Sequence, residues 1–186
     1  DLIAAAEKVT PEVVEFMKRY GSEVLGKGVV VCKDTPNFIG NRFFAVASSY
    51  GLEHALQNGY TIPEIDAITG PPIGRPKTAT YRLLDLVGLD VMAHVNNNLY
   101  EAVPHDSYRE VLRPAKTTEL MTAMIDNKWL GNKAGQGFYK QERVNGAREF
   151  WTLVPQAMEY QPSPKVRFDS IGAVRKVEDL GERVRK

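Results

Sequence analysis

With 186 residues, 43% of them hydrophobic and 25% charged, the chain can bury a substantial core and lies outside the composition of disordered segments. A net charge of +1 supplies no field to draw nucleic acid or an acidic membrane surface, and the one cysteine, Cys32, excludes an internal disulfide. His54, His94 and His105 are too scattered for a spaced metal-ligand set, and no apolar run approaches the roughly 20 residues of a membrane span.

The single thiol fits a reducing, cytoplasmic setting, and the first residues lack a basic-then-apolar secretion signal. The chain starts at Asp1 without a Met and within a helical pattern, so it is expected to be a piece of a longer protein. Leu2, Ile3, Ala6, Val9, Val13, Val14, Phe16 and Met17 recur at helical spacing, with Pro11 resetting the helix near Thr10. An amphipathic helix over 11–25 follows. Gly26-Lys27-Gly28 breaks it, and the branched run Val29-Val30-Val31-Cys32 predicts a strand that would be unpaired on its own.

Lys33-Asp-Thr-Pro-Asn-Phe-Ile-Gly-Asn-Arg42 then forms a strand-to-helix junction. Asp34 and Thr35 can accept from a free N–H of the incoming helix, and Pro36 suits its first turn. Asn41 falls in the second turn, where Asn weakens a helix, and on its own it is a surface or helix-end polar residue. The helix is predicted over 36–58, apolar over more than one face and so central to a bundle, with Gly59 as its stop. Within it, His54 is a core or helix-face histidine. A short helix from Ile62 ends at Gly70, and Gly70-Pro-Pro-Ile-Gly-Arg-Pro-Lys77 is too punctuated for regular structure.

Asp85 and Asp90 have the look of helix-terminus residues. His94, one turn past Asp90, could pair with it, although a cap beside an exposed histidine is the simpler expectation. Helices are predicted over 89–102 and, with a capped start, over 117–125. In Trp129-Leu-Gly-Asn-Lys-Ala-Gly-Gln-Gly-Phe-Tyr139 the closely spaced Gly135 and Gly137 invite a dinucleotide fingerprint, but the third glycine at its spacing, a preceding strand and a following helix are missing. On chemistry alone Lys133 is a solvated loop charge. Glu149–Leu153 could be a short strand, Pro162-Ser163-Pro164 a stiff linker, and 170–185 a charged helix.

Asp-Thr-Pro-x-Phe-Ile-x-Asn-Arg after a Lys and an apolar strand resembles the signature that opens the C-terminal domain of the 3-hydroxyacyl-CoA dehydrogenases, and Lys-x-Gly-x-Gly-Phe-Tyr resembles the run that closes it. Residues 81–91 resemble a weaker stretch between the two. The resemblance covers about residues 11 to 140. It implies a mostly α fold, a helical bundle of the 6-phosphogluconate dehydrogenase C-terminal-like type, with a short N-terminal strand left over from a Rossmann sheet. Three parts are expected: residues 1–33 as the trailing helix and strand of a missing dinucleotide-binding domain, 34–140 as the helical domain, and 141–186 as an extension with a terminal helix. That tail resembles the connector of longer dehydrogenases that continue into an enoyl-CoA hydratase-like module.

By the same resemblance Asn41 is an active-site residue beside a His and Glu of the missing domain, and Lys133 reaches the bound NAD. The whole enzyme would oxidise a 3-hydroxyacyl-CoA, and the partners implied are the acyl-CoA, the N-terminal Rossmann domain and a second copy in a homodimer. The residues alone leave open a related hydroxy-acid oxidoreductase without CoA, or a structural dimerisation module. One departure stands out: Asn37 takes the place of a usual Gly after the Pro.

Overall fold

The computed structural model describes residues 9–186 with their side chains and Leu2–Ala5 as backbone. Leu2–Ala5 is a strand, β1, and not helical as its spacing suggested. It lies parallel to β2, Val30–Lys33, in the register Leu2↔Val30 to Ala5↔Lys33. The expectation of a lone, unpaired strand is therefore wrong. An Ala-rich tetrapeptide favours helix only weakly, and the ladder offered by the valine run overrides that preference.

Between the strands runs α1, Pro11–Arg19, prolonged by a π-helical turn over Tyr20–Val24. Gly21 in that turn lies close against Val29, where a Cβ would stand 2.7 Å from Cγ2. No residue of α1 is buried, and Val13, Phe16 and Met17 are exposed.

The long helix α2 spans Gly40–Asn58. It begins four residues later than Pro36 promised because Asn37 (φ 58°) and Phe38 (φ 51°) are both left-handed, which no right-handed helix includes. Its N-cap is Ile39, with no side-chain cap, so Asp34 and Thr35 do not fill that role. Gly59 (φ 72°) ends the helix as expected.

Behind α2, helices α3 (Ile62–Thr69), α4 (Tyr81–Val87), α5 (Leu89–Ala102) and α6 (Ala115–Asp126) follow. Thr61 and Glu64 close a capping box on α3. The N-cap of α6 is Pro114 and carries no cap of its own; Glu53 of α2 instead accepts from Thr117 N at 2.9 Å and Thr117 Oγ1 at 3.1 Å.

The main core joins Leu52 and Ala55 of α2, Ile62 and Ile65 of α3, Tyr81 and Leu84 of α4, Leu89 and Met92 of α5, and Leu120 and Met124 of α6. Phe138 and Leu153 complete it. A smaller cluster of Ala45, Leu99 and Leu112 packs the other end of α2. The described residues are mostly α-helical, as expected.

One strand was expected near 149–153, but there are three: β3 (Tyr139–Val144), β4 (Ala147–Val154) and β5 (Glu159–Pro162), all antiparallel. Asn145 (φ 50°) and Gly146 (φ 82°) make the two-residue hairpin between β3 and β4. The expected terminal helix is two short ones, α7 (Asp169–Val174) and α8 (Leu180–Arg185), because Asp179 takes up the N-cap of a new helix. Arg183 donates to Val177 O at 2.7 Å, Glu178 O at 3.1 Å and Pro71 O at 3.2 Å, and so holds α8 on the proline-rich loop. That loop contains one 3-10 turn, Pro71–Ile73, where no regular structure was expected.

Candidate functional site

Asn41 lies in the first turn of α2, not the second, and is exposed. In a first turn the helix N–H groups are unpaired in any case, so Asn costs the helix little there. Its carboxamide has no hydrogen-bond partner among the described residues. Next to it in the chain, Phe38, Ile39, Arg42, Phe43 and Val46 line a cleft of about 590 Å³ with Asp106 and Tyr108. Arg42 and Asp106 form an ion pair across this cleft. Asp106 also accepts from Tyr108 N at 2.9 Å, and that bond, with the guanidinium, holds its carboxyl below the usual range.

Lys133 stands in a 3-10 turn, Asn132–Ala134. Its ammonium donates to both oxygens of Asp90, at 2.5 and 2.7 Å, and this hydrogen bonding lowers the Asp90 carboxyl. Asp90 thus pairs with Lys133 and not with His94. His94 Nε2 instead sits 2.8 Å from Asn98 Nδ2 on an exposed face. His54 is also exposed, its ring stacked between Tyr50 and Tyr60 at 6.1 and 6.3 Å. Among the described residues no three acidic, His or Cys side chains gather as a metal site, and no hydrogen bond or ion pair joins Asn41 to Lys133.

The glycines around Lys133 are explained by a residue the sequence did not single out for this. Asp85 is an interior residue of α4, buried at 2% exposure, and its two oxygens accept from Phe138 N and Tyr139 N, both at 2.8 Å. Gly131 (φ 95°) and Gly137 lie so close to Asp85 that neither has room for a Cβ. Their small size lets the loop close on α4.

Burial pushes the Asp85 carboxyl up to about 7, against the pull of its two N–H donors. Asp66 plays a matching part. It accepts from Thr80 N (3.0 Å), Tyr81 N (2.7 Å) and Tyr139 Oη (2.8 Å), tying the start of α4 to the start of β3. Burial likewise raises the Tyr81 and Tyr139 hydroxyls. The signal available in the sequence was the run of glycines at 131, 135 and 137, of which the first and last pack against Asp85 while Gly135 (φ 78°) serves the turn.

Together these features define a class: a helical bundle that follows a strand–helix–strand unit and exposes a carboxamide at the head of its longest helix and an amine on a glycine-shaped loop. Residues 38–141 match the family model described as the 3-hydroxyacyl-CoA dehydrogenase C-terminal domain, and the chain belongs to that family. It is 41% identical over 173 residues to a probable 3-hydroxyacyl-CoA dehydrogenase of Bacillus subtilis, covering 93% of this chain and 21% of the relative. With a protein of the same description from Deinococcus radiodurans it shares 35% over 146 residues, 78% of this chain and 40% of the relative. The crystal structure of (S)-3-hydroxybutyryl-CoA dehydrogenase from Ralstonia eutropha superposes with a TM-score of 0.59 at 26% identity, over 73% of this chain and 45% of that one. The chain thus spans about a fifth of the length of the first of these curated relatives and two fifths of the second.

Proposed function

We propose that this chain is the substrate-facing and dimerising domain of an NAD-dependent 3-hydroxyacyl-CoA dehydrogenase of fatty acid β-oxidation, working in the cytoplasm. The observation that carries this is the unpartnered, exposed carboxamide of Asn41 in the first turn of α2, whose chain neighbours Phe38, Ile39 and Phe43 line a cleft. In the whole enzyme NAD, held on a preceding domain, would supply the hydride acceptor, and a histidine of that domain would take the hydroxyl proton. Asn41 hydrogen-bonds the substrate or that histidine and fixes their separation, a role in which small displacements cost large rate factors.

NAD is held mainly by the preceding Rossmann domain. The present residues do not fit the dinucleotide by themselves: the β1–α1 connection, residues 6–10, is Ala-Glu-Lys-Val-Thr, with none of the glycines that bring a backbone up to a pyrophosphate. Lys133 adds a contact from the helical side. The uncovered apolar face of α1, with Phe16 62% exposed, is consistent with burial against that domain. Exposed Phe43 and Tyr50 on α2 support a homodimer through the helices.

The test is Asn41→Ala in the full-length enzyme, with kcat measured on a 3-hydroxyacyl-CoA and on the free hydroxy acid. A fall on the order of a hundredfold on the CoA substrate is expected, with little turnover of the free acid. An unchanged rate would leave the domain a structural module, and equal use of both substrates would point to a related oxidoreductase that ignores CoA.

A further inference from the structure

Arg82, in the first turn of α4, lays its guanidinium on the β3–β4 ladder. Tyr139 pairs with Thr152 there, and Phe150 lies two residues from Thr152 on the same strand, so the two rings share one face of the sheet. The guanidinium carbon sits 5.0 Å from the Tyr139 ring centre and 4.8 Å from that of Phe150. Tyr139 is pinned by its hydroxyl, which donates to Asp66 at 2.8 Å, and Asp66 also accepts from Arg82 N at 3.3 Å. Stacking on rings orients a guanidinium plane and leaves its in-plane N–H groups open. None of these N–H groups has an acceptor among the described residues.

Arg82 lines a cavity of about 330 Å³ together with Lys77 and Ser163. Lys77 likewise has no hydrogen bond or ion pair among the described residues. Asp66 reaches the same cavity, but its two oxygens already accept from Thr80 N, Tyr81 N, Arg82 N and Tyr139 Oη. Ala67, Pro71 and Val166 are shared with a neighbouring cavity of about 900 Å³, which is apolar at Pro72, Phe168 and Ile171 and carries the equally unpaired Arg167 and Arg175. Across the two cavities Lys77, Arg82, Arg167, Arg175 and Arg183 stand against Asp66 and Asp169, in a chain whose net charge is only +1. A concave surface lined by one sign of charge concentrates counter-ions from solution.

We propose that Arg82 and Lys77 form a binding site for a phosphate group, free or carried by a small phosphate ester whose body lies along the wider cavity. Arg82 meets two phosphate oxygens with parallel N–H bonds, and Lys77 adds a point charge on a third. Two cations suit a dianion better than a monoanion such as a carboxylate. The site is built by α4, the proline-rich loop and the tail, and it is independent of the reading of Asn41 and Lys133.

The full-length enzyme is treated with phenylglyoxal, which modifies exposed arginines, and modification of Arg82 is followed by peptide mass spectrometry in phosphate, AMP or acetate at equal ionic strength. Phosphate and AMP are expected to slow it about tenfold, while Arg113, engaged by Glu101, serves as an unaffected internal reference. Lys77→Gln should raise the half-protecting concentration about tenfold. Protection by AMP at lower concentration than phosphate assigns the site to a carried phosphate, and equal protection assigns it to the free ion. Calorimetric titration of phosphate into wild type and Arg82→Gln is the second readout, with a roughly tenfold loss of affinity expected. Arg82 modified at one rate with and without phosphate or AMP would overturn the proposal. So would acetate protecting as well as phosphate, unchanged protection in Lys77→Gln, or equal affinity of wild type and Arg82→Gln.

Discussion

Asp85 is a buried carboxylate whose two oxygens each meet a backbone N–H, so no neutral side chain of the same shape replaces it without loss. In Asp85→Asn an amide N–H₂ turns toward one of the two donors, and we expect a cost of about 1–3 kcal/mol. The raised Asp85 carboxyl gives the change a pH signature. The folded chain binds this proton more tightly than the unfolded chain, so the stability contributed by Asp85 falls as pH rises from about 4 to about 7 and is level above. Denaturant melts of wild type and Asp85→Asn across that range should therefore differ most at the acid end. A difference that is constant with pH would assign the titration to another group.

Asn37 illustrates a second residue-scale constraint. At φ 58° it occupies the position where the family usually has Gly, and Asn is the side chain that tolerates this region best after Gly. Asn37→Gly should leave stability within about 1 kcal/mol, while Asn37→Val should cost about 1–2 kcal/mol. Equal melting of the two variants would count against the strain.

Among the elements, α8 is attached to the rest of the molecule chiefly by the Arg183 bond to Pro71 O and the packing of Leu180 over Gly74, while Arg183 also ties it to the tail carbonyls of Val177 and Glu178. Removing such a peripheral contact opens a segment locally without unfolding the core. Arg183→Ala is expected to speed proteolysis after residue 165 several-fold while changing global stability by less than about 1 kcal/mol. Loss of the whole melting transition would instead make the tail part of the core. The β3–β4 hairpin shows how an element can be missed. Tyr139-Lys-Gln-Glu-Arg-Val144 is too charged to stand out as a strand, yet Asn145-Gly146 is a strong two-residue turn signal and marks it from the sequence alone. The strand forms because its neighbour β4 carries Thr152 and Leu153 into the core, leaving the charged strand partly on the surface.

For the molecule as a whole, β1, α1 and β2 amount to one strand–helix–strand unit without a glycine-rich turn, joined to a helical bundle that holds its own core. We therefore expect these 186 residues to fold but not to bind NAD usefully. Titration of the isolated chain should give no heat at micromolar concentrations of NAD, and micromolar binding would refute the assignment of the cofactor to another domain. The two-stranded sheet, short and open at both edges, should be the regular structure least protected in amide exchange.

The sequence by itself determined the longer helices of the bundle and the family. The apolar periodicity of 36–58 and 89–102, the stop at Gly59 and the two motifs around Asn41 and Lys133 are local properties, set by neighbours along the chain. Only the tertiary structure decided the rest. Leu2–Ala5 is a strand because Val30–Lys33 lies beside it, and α6 is capped from α2 by Glu53. Gly131 and Gly137 answer to Asp85, and Lys133 itself to Asp90, 43 residues earlier in the chain. Each of these depends on a partner distant in sequence, and periodicity and propensity carry no record of which distant group will supply the missing hydrogen bond or charge.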